Sequence, residues 1–360
     1  MMYFNHALRK LAVVASLVLS VSGCAPNPQD DIPLFKTFIA ENIDKVSEDP
    51  YISSTVRPGD ALYRFFVQLQ HGRVKEEVYE PLKGGDSESK LWYAKLSLPY
   101  NELRGEVYQF LTESMQAGNP YAALELSEQG EFCQRYGKGS ARSKLFNKMG
   151  LSTIYESDVC DEAYFELAVE GFEKLAQQGD LRAQYFLLKQ KNWDQSTETR
   201  AEYIQEIIRF AEAHYYQPLM DYVGTILFYS KEENKDISNT QEQHELAIKL
   251  LTIASNNNYI PAIYKLYFAT INKDEKEKLI NKSFVLGDIR MIKYQLFKEQ
   301  DGSPEQYYYN AIIKELSGHY LFSPEKSGKE PDVQLQAEKF AESIRSSVYI
   351  DGFTDSGDWN

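Results

Sequence analysis

The chain has 360 residues, 39 of them basic and 53 acidic, for a net charge of −14. An acidic balance of that size argues against a nucleic-acid or anionic-lipid surface and is the usual mark of a solvated, soluble face. The length can bury one large core or extend as a repeat array with no single centre.

Arg9 and Lys10 precede an apolar run from Leu11 to Val21 that is too short to span a bilayer as a stable helix, so residues 1–23 read as an export signal. The run closes on Val21-Ser22-Gly23-Cys24, which resembles the bacterial lipoprotein box: a small apolar residue, two small residues, then the cysteine that receives diacylglycerol. The alternative is an ordinary signal peptide with a chance cysteine. The lipoprotein resemblance implies a mature chain that starts at Cys24, carries 37 basic against 53 acidic residues (−16), and is held to a membrane by its acyl chains. Ala25 rather than aspartate follows the cysteine, and in the Gram-negative sorting rule that implies the outer membrane, facing the periplasm. Ala25 to Asp31 carries two prolines, two acids and no apolar pattern, so residues 24–50 are expected to form a solvated tether and a first segment.

Residues 51–320 show a recurring junction in which two amphipathic runs meet at glycine followed by an acid or amide: Gly59-Asp60, Gly85-Asp86, Gly118-Asn119, Gly179-Asp180 and Gly287-Asp288. Glycine suits the left-handed residue that ends a helix, and Asp or Asn can cap the next one, so each pair predicts a tight helical corner. Two degenerate junctions fit the same frame, with Asn258 and Tyr215 in the glycine place. Small residues recur before the corner at Ser114, Ala176, Ala211, Ala254 and Ser283, where they let neighbouring helices approach closely. Apolar stripes such as Ile204, Ile207, Ile208 and Ala211, then Leu219, Tyr222, Val223 and Ile226, have the helical period, and no stretch alternates with period two.

Only Cys133 and Cys160 remain after Cys24, and in an oxidising compartment two such cysteines most simply pair. A redox or metal site is the alternative, but there is no Cys-x-x-Cys and no nearby histidine. They fall in a long step between corners, so residues 127–165 read as an insertion or a masked unit stapled by that bridge. Beyond residue 320, Pro331 to Ser347 reads as one amphipathic capping helix, and IDGFTDSGDWN as a frayed acidic tail.

The segment QQGDLRAQYFLL resembles the core of a Sel-one-like repeat, a relative of the tetratricopeptide repeat with the pattern A-x-x-G-x-x-x-A-x-x-x-L, here Ala176, Gly179, Ala183 and Leu187. The resemblance implies an all-α, right-handed α-solenoid of helix-turn-helix repeats, closed by the C-terminal capping helix. Most units lack the second glycine-rich turn, a departure that leaves unit number and curvature open.

Chemistry is thin by comparison. Gly85-Asp86-Ser87 matches the serine motif of one esterase family, but no Asp-x-x-His partner exists in the chain, and Ser87 fits a helix start better. The mature histidines His71, His214, His244 and His319 form no metal-ligand spacing, and no phosphate-cradling loop appears, so neither cofactor nor metal is expected. The 26 tyrosines and 19 phenylalanines are an excess: Tyr307 to Tyr309, Tyr215-Tyr216 and Tyr264, Tyr267 and Phe268 could line a concave face, although aromatics at helical spacing are mostly expected in the inter-repeat core. Tyr307, Tyr308 and Tyr309 cannot all face inward on one helix, so at least one is expected to be exposed as a partner surface.

The expectation is a noncatalytic lipoprotein that binds another protein and no nucleic acid. The resemblance implies two roles for such chains: adaptor or scaffold for an envelope component, or immunity protein that neutralises a lipase or hydrolase effector delivered by type VI secretion.

Overall fold

The computed structural model describes residues 26–137, 140–150, 160–228, 240–323 and 331–352. Cys24 and the expected export signal lie outside the described residues, as does most of the expected acidic tail. Among the described residues there are helices and no strand. No helix among them is long and apolar enough to cross a membrane.

In chain order the helices are α1 (Ile32–Asn42), α2 (Tyr63–Gln70), α3 (Glu76–Tyr79), α4 (Ser87–Ser97), α5 (Arg104–Gln116) and α6 (Pro120–Glu125). They continue with α7 (Glu131–Tyr136), α8 (Ala141–Lys148), α9 (Glu162–Gln177), α10 (Leu181–Gln190), α11 (Arg200–Glu212) and α12 (Gln217–Phe228). The last are α13 (Gln241–Asn256), α14 (Ile260–Ala269), α15 (Lys273–Val285), α16 (Ile289–Lys298), α17 (Pro304–Ser317) and α18 (Pro331–Ser343). Helices that are neighbours in sequence pack as neighbours: α4 on α5, α11 on α12, α14 on α15, α16 on α17 and α17 on α18.

Five corners share one hydrogen-bond pattern. At Gly118, Gly179, His214, Asn258 and Gly287 the backbone is left-handed, with φ of 90°, 93°, 60°, 63° and 78°. The next N–H reaches back five residues to a helical carbonyl: Asn119 to Ser114 (3.1 Å), Asp180 to Leu175 (3.0 Å), Tyr215 to Phe210 (3.0 Å), Tyr259 to Ala254 (3.1 Å) and Asp288 to Ser283 (2.9 Å). This is the Schellman arrangement, which satisfies carbonyls that the helix end leaves without partners. Asn119, Asp180 and Asp288 then accept from the N–H groups of Tyr121, Ala183 and Arg290, so one residue closes one helix and opens the next.

Three expected corners differ. The left-handed residue is His214, not Tyr215, because the turn there is one residue longer before α12 begins. Ala211 therefore stands three residues before the corner, as Ala176 does before Gly179. Gly59 is left-handed but no helix precedes it, and Asp60 accepts from the Arg57 N–H behind it rather than capping α2. Gly85 is extended (φ −79°, ψ −167°) and follows a 3-10 turn, Glu80–Gly84. Its requirement is space, since a Cβ there would lie 2.6 Å from that of Ser89. A sixth corner of the same pattern, unmarked by a following acid, ends α2: Gly72 has φ of 85° and the Arg73 N–H reaches the Gln68 carbonyl at 3.2 Å.

The chain divides into two compact units. The first comprises residues 26–44 and 188–253. Its centre is a charged clamp: Asp31, fully buried, takes Nε and Nη2 of Arg200 (3.0 and 2.7 Å) and the hydroxyl of Tyr222 (2.8 Å). Phe35 packs on Tyr222 with ring centroids 5.0 Å apart. The expected solvated tether thus ends earlier than residue 31: Asn27 caps a short 3-10 turn, Pro28–Asp31, that runs directly into α1.

The second unit comprises residues 45–187 and 254–352. Ala123, Ala168, Phe172, Ala183 and Phe186 form a buried cluster, and Gly171 brings α9 against Pro120 so closely that a Cβ would meet the proline ring at 2.7 Å. Cys133 and Cys160 are bonded to each other, closing residues 133–160 into a loop. The capping helix is shorter than expected, because α18 ends at Ser343 and residues 344–352 run on as an extended strap. Val348, Tyr349, Ile350 and Asp351 are buried, which corrects the expectation of a frayed tail beginning at Ile350. The strap is held through its backbone: Tyr63 donates to the Ser346 carbonyl (2.8 Å), Gln70 donates to that of Ser347 (3.0 Å) and accepts from the Tyr349 N–H (2.7 Å). The Thr55 N–H donates to the Val348 carbonyl (2.8 Å).

Gly179 and Gly287 are both left-handed, but a Cβ at Gly179 would meet nothing within 4 Å, whereas one at Gly287 would lie 2.8 Å from Ser346 Oγ on the strap. Gly179→Ala should therefore cost about 1–2 kcal/mol of backbone strain, and Gly287→Ala at least about 1 kcal/mol more, as measured by denaturant unfolding. His71, buried beside the Gly287 carbonyl (3.2 Å), gives a second prediction. Burial lowers its pKa from 6.5 to about 4, helped by Lys293 and opposed by the Gly287 and Leu316 carbonyls. Between those values the unfolded chain binds a proton that the folded chain does not. Stability from this residue is complete above about pH 6.5 and falls as pH drops towards 4, by about 3 kcal/mol in all, and His71→Gln should flatten that part of an unfolding-versus-pH curve.

Candidate protein-binding surface

The three tyrosines singled out by the sequence do not form an open surface. Tyr307 is buried, its hydroxyl 3.5 Å from Gln334 of α18. Tyr308 and Tyr309 are half-buried rather than exposed. Tyr309 packs edge-on to Phe284 of α15 (5.7 Å), and Tyr308 lies 6.5 Å from Phe340 of α18. Burial raises both phenol pKa values. The expectation of an exposed ring assumed a helix covered on one side, whereas α17 is flanked by two neighbours.

Exposed rings surrounded by half-buried ones occur on α14 and α16, each the helix that follows a left-handed corner. Tyr264 and Phe268, four residues apart on α14, stand edge to face at 5.0 Å. Phe268 continues to Tyr294 of α16 at 5.0 Å, and Tyr267 bridges to both, at 5.0 and 5.5 Å. Phe268 is 48 % exposed, Ile271 just beyond α14 is 97 % exposed, and Phe297 on α16 is 66 % exposed with Phe322 at 5.6 Å. Three cations lie on these rings: Arg290 over Tyr264 (4.8 Å), Lys276 over Tyr267 (5.0 Å) and Lys298 over Tyr294 (5.5 Å). Arg290 is also ion-paired to the buried Asp288 (3.3 Å), whose carboxyl pKa is raised by burial. Clustered, mutually braced aromatics with polar tips offer large contact area at little entropic cost, the chemistry of a binding hot spot.

Two clefts lie elsewhere. In the second unit a cleft of about 240 Å³ includes Trp92, Asn119 and Asp351. In it Arg182 lies 5.7 Å from the Tyr121 ring and pairs with Asp180 at 3.1 Å. In the first unit a groove of about 570 Å³ runs between α1 and α13, with Ile32, Ile39 and Leu246 beside Lys36, Lys249 and Glu245.

Ser87 is the first residue of α4, and Asp86 is its cap, accepting the Ser89 N–H at 2.8 Å. That amide and the Ser89 hydroxyl lower the Asp86 pKa. The pair opens a helix. Among the described residues no three His, Cys, Asp or Glu side chains gather as a metal site. Of the aromatic face, the sequence singled out Tyr264, Tyr267 and Phe268 but not Tyr294 and Phe297, which lie on a second helical pair. The available signal was that α14 and α16 carry rings at i and i+3 or i+4 on the side away from Ala262 and Ile292, both buried.

No protein-family model, no curated protein and no solved structure matches the chain.

Exposure separates the two aromatic groups energetically. Phe297→Ser should change unfolding free energy by no more than about 0.5 kcal/mol, as expected of a surface site, while Tyr307→Ala should cost about 3–5 kcal/mol. Chemical denaturation of the two variants side by side measures the contrast.

Proposed function

We propose that the chain is a noncatalytic, protein-binding lipoprotein of the cell envelope, acting as an adaptor or scaffold. The observation that carries the reading is the braced, exposed aromatic face on α14 and α16, presented by paired helices whose corners repeat one hydrogen-bond pattern. Within the proposal the array is a right-handed solenoid of Sel-one-like units, and Cys24 carries the lipid that holds it to the outer membrane on the periplasmic side. Residues 176–187 support the repeat type and the Val-Ser-Gly-Cys box supports the anchor. A solenoid binds through surface shape rather than a reactive group, which fits a face of rings and cations better than a pocket.

The chain's acidity supports the second reading, an immunity lipoprotein, since a basic lipase or hydrolase effector would be drawn to it. The identity of the captured protein separates the roles.

The test is cross-linking in the source cells followed by recovery of the full chain. Phe268→Ser with Phe297→Ser should reduce the recovered partner at least tenfold at unchanged chain level, and Cys24→Ala should abolish acyl labelling and membrane retention. Partner recovery that ignores both ring substitutions would remove the aromatic face from the reading. Recovery of an effector enzyme in place of an envelope component would assign the immunity role.

A further inference from the structure

The charge around the aromatic face is opposite to that of the rest of the chain. Residues 260–300 contain eight basic and five acidic side chains, whereas the remainder has 31 basic and 48 acidic, a charge of −17. Two of those bases are on the face itself. Lys276 and Lys298 lie over Tyr267 and Tyr294, and neither is in an ion pair with a carboxylate among the described residues. Other lysines in the same unit have their charge met within the chain: Lys95 by Glu125 (2.6 Å), Lys90 by Glu113 (2.7 Å) and Lys83 by Glu80 and Glu106. Cations left without carboxylates and laid over rings keep their charge available to a ligand, and a carboxylate arriving there gains attraction in a partly desolvated setting.

Resting on the protein-binding reading, we infer that the face of Tyr264, Phe268, Tyr294 and Phe297, with Lys276 and Lys298, takes an acidic protein segment whose apolar side chains seat among the rings while its carboxylates meet the two ammonium groups. The rings select apolar anchors, and the lysines select acids flanking them. The −17 on the rest of the chain sets the reach of such a partner: a broadly acidic protein would be repelled as a whole, so the segment is acidic locally, on a surface otherwise neutral or basic. The same balance opposes an anionic bilayer, whose plane would bring the acidic bulk towards its headgroups along with the basic patch.

The experiment is selection of displayed random twelve-residue peptides against the full chain in mild detergent. Enriched peptides should carry two or more Asp or Glu beside an aromatic or branched aliphatic anchor. Their affinity should fall about tenfold with Phe297→Ser, the loss expected of a hot-spot ring, and severalfold with Lys298→Glu, and it should weaken as salt is raised. Unfolding curves of both variants should match that of the parent chain, so loss of binding cannot be ascribed to loss of fold. Peptides that depend on Phe297 but are not acidic, or whose binding ignores salt and Lys298→Glu, would overturn the charge inference and leave the protein-binding face standing. Enriched peptides that never depend on Phe297 would overturn both. A membrane role is read separately from the full chain in phosphatidylglycerol vesicles containing brominated lipid: Phe297→Trp should add no quenched fluorescence over the parent chain, and added quenching would overturn the inference in favour of a bilayer.

Discussion

A helix that must reverse within two or three residues needs one residue in the left-handed region, because only that conformation turns the chain while its next N–H still reaches a carbonyl of the last turn. Everything else in this fold follows from meeting that constraint repeatedly. Where glycine meets it, at Gly118, Gly179 and Gly287, the conformation is nearly free and the following Asn or Asp can be spent on capping. Where a larger residue meets it, other contacts must hold it. Asn258 does so with its side-chain amide, which donates to the carbonyls of Ser47 and Asp49 at 3.3 and 2.8 Å and fastens the segment before α2 to the corner. That corner therefore gains a tertiary role that glycine could not supply.

The corners were legible because their requirement is local and belongs to one residue type. Gly118, Gly179 and Gly287 could be read directly, and the degenerate Asn258 could be placed from the small residue before it and Ala262 after it. The His214 corner was misread by one position because its extra turn residue shifts Ala211 and Leu219 together, so the surrounding spacing looks intact. Gly59 and Gly85 show the converse: glycine before an acid also serves ordinary turns and close contacts, and the dipeptide alone cannot tell them apart. What the sequence hid was long-range. Asp31 in a run of prolines and acids looks solvated until Arg200 and Tyr222, 169 and 191 residues away, close around it. Ser346 to Ile350 look like a fraying helix end until Tyr63 and Gln70 are seen holding their backbone.

The same distinction governs the aromatic residues. Composition shows an excess, but whether a ring is core or surface depends on how many helices flank its own. Tyr307 to Tyr309 are covered because α18 and α15 both lie against α17, and the sequence reading allowed for only one covered side. On α14 and α16 the buried residues Ala262, Leu266, Ile292 and Leu296 fill the inward stripe, leaving Phe268 and Phe297 outside it. Exposed Phe268 is still ordered, since four edge-to-face contacts brace it, half-buried Tyr264 and Tyr294 and buried Tyr267 against one another. Such bracing fixes the rotamers before any partner arrives and lowers the ordering cost of binding.

The buried clamp at Asp31 also limits how the chain can be attached. An ion pair with no exposure on its acid carries a desolvation penalty that its bidentate geometry and the Tyr222 hydroxyl offset, and losing either partner would leave a buried charge uncompensated at about 3–5 kcal/mol. The clamp is thus a fixed point, and Asn27 caps the 3-10 turn that leads into it. If Cys24 bears the proposed lipid, only about three peptide units separate it from Asn27, a span of roughly 10 Å at full extension. The first unit would then lie close against the bilayer instead of hanging from a flexible stalk. For an acidic chain that proximity favours a neutral leaflet over an anionic one, and it bounds the distance at which a partner bound to the first unit could stand from the membrane. A longer tether would have decoupled the fold from the surface, and the Asp31 pairing is what prevents residues 28–42 from serving as one.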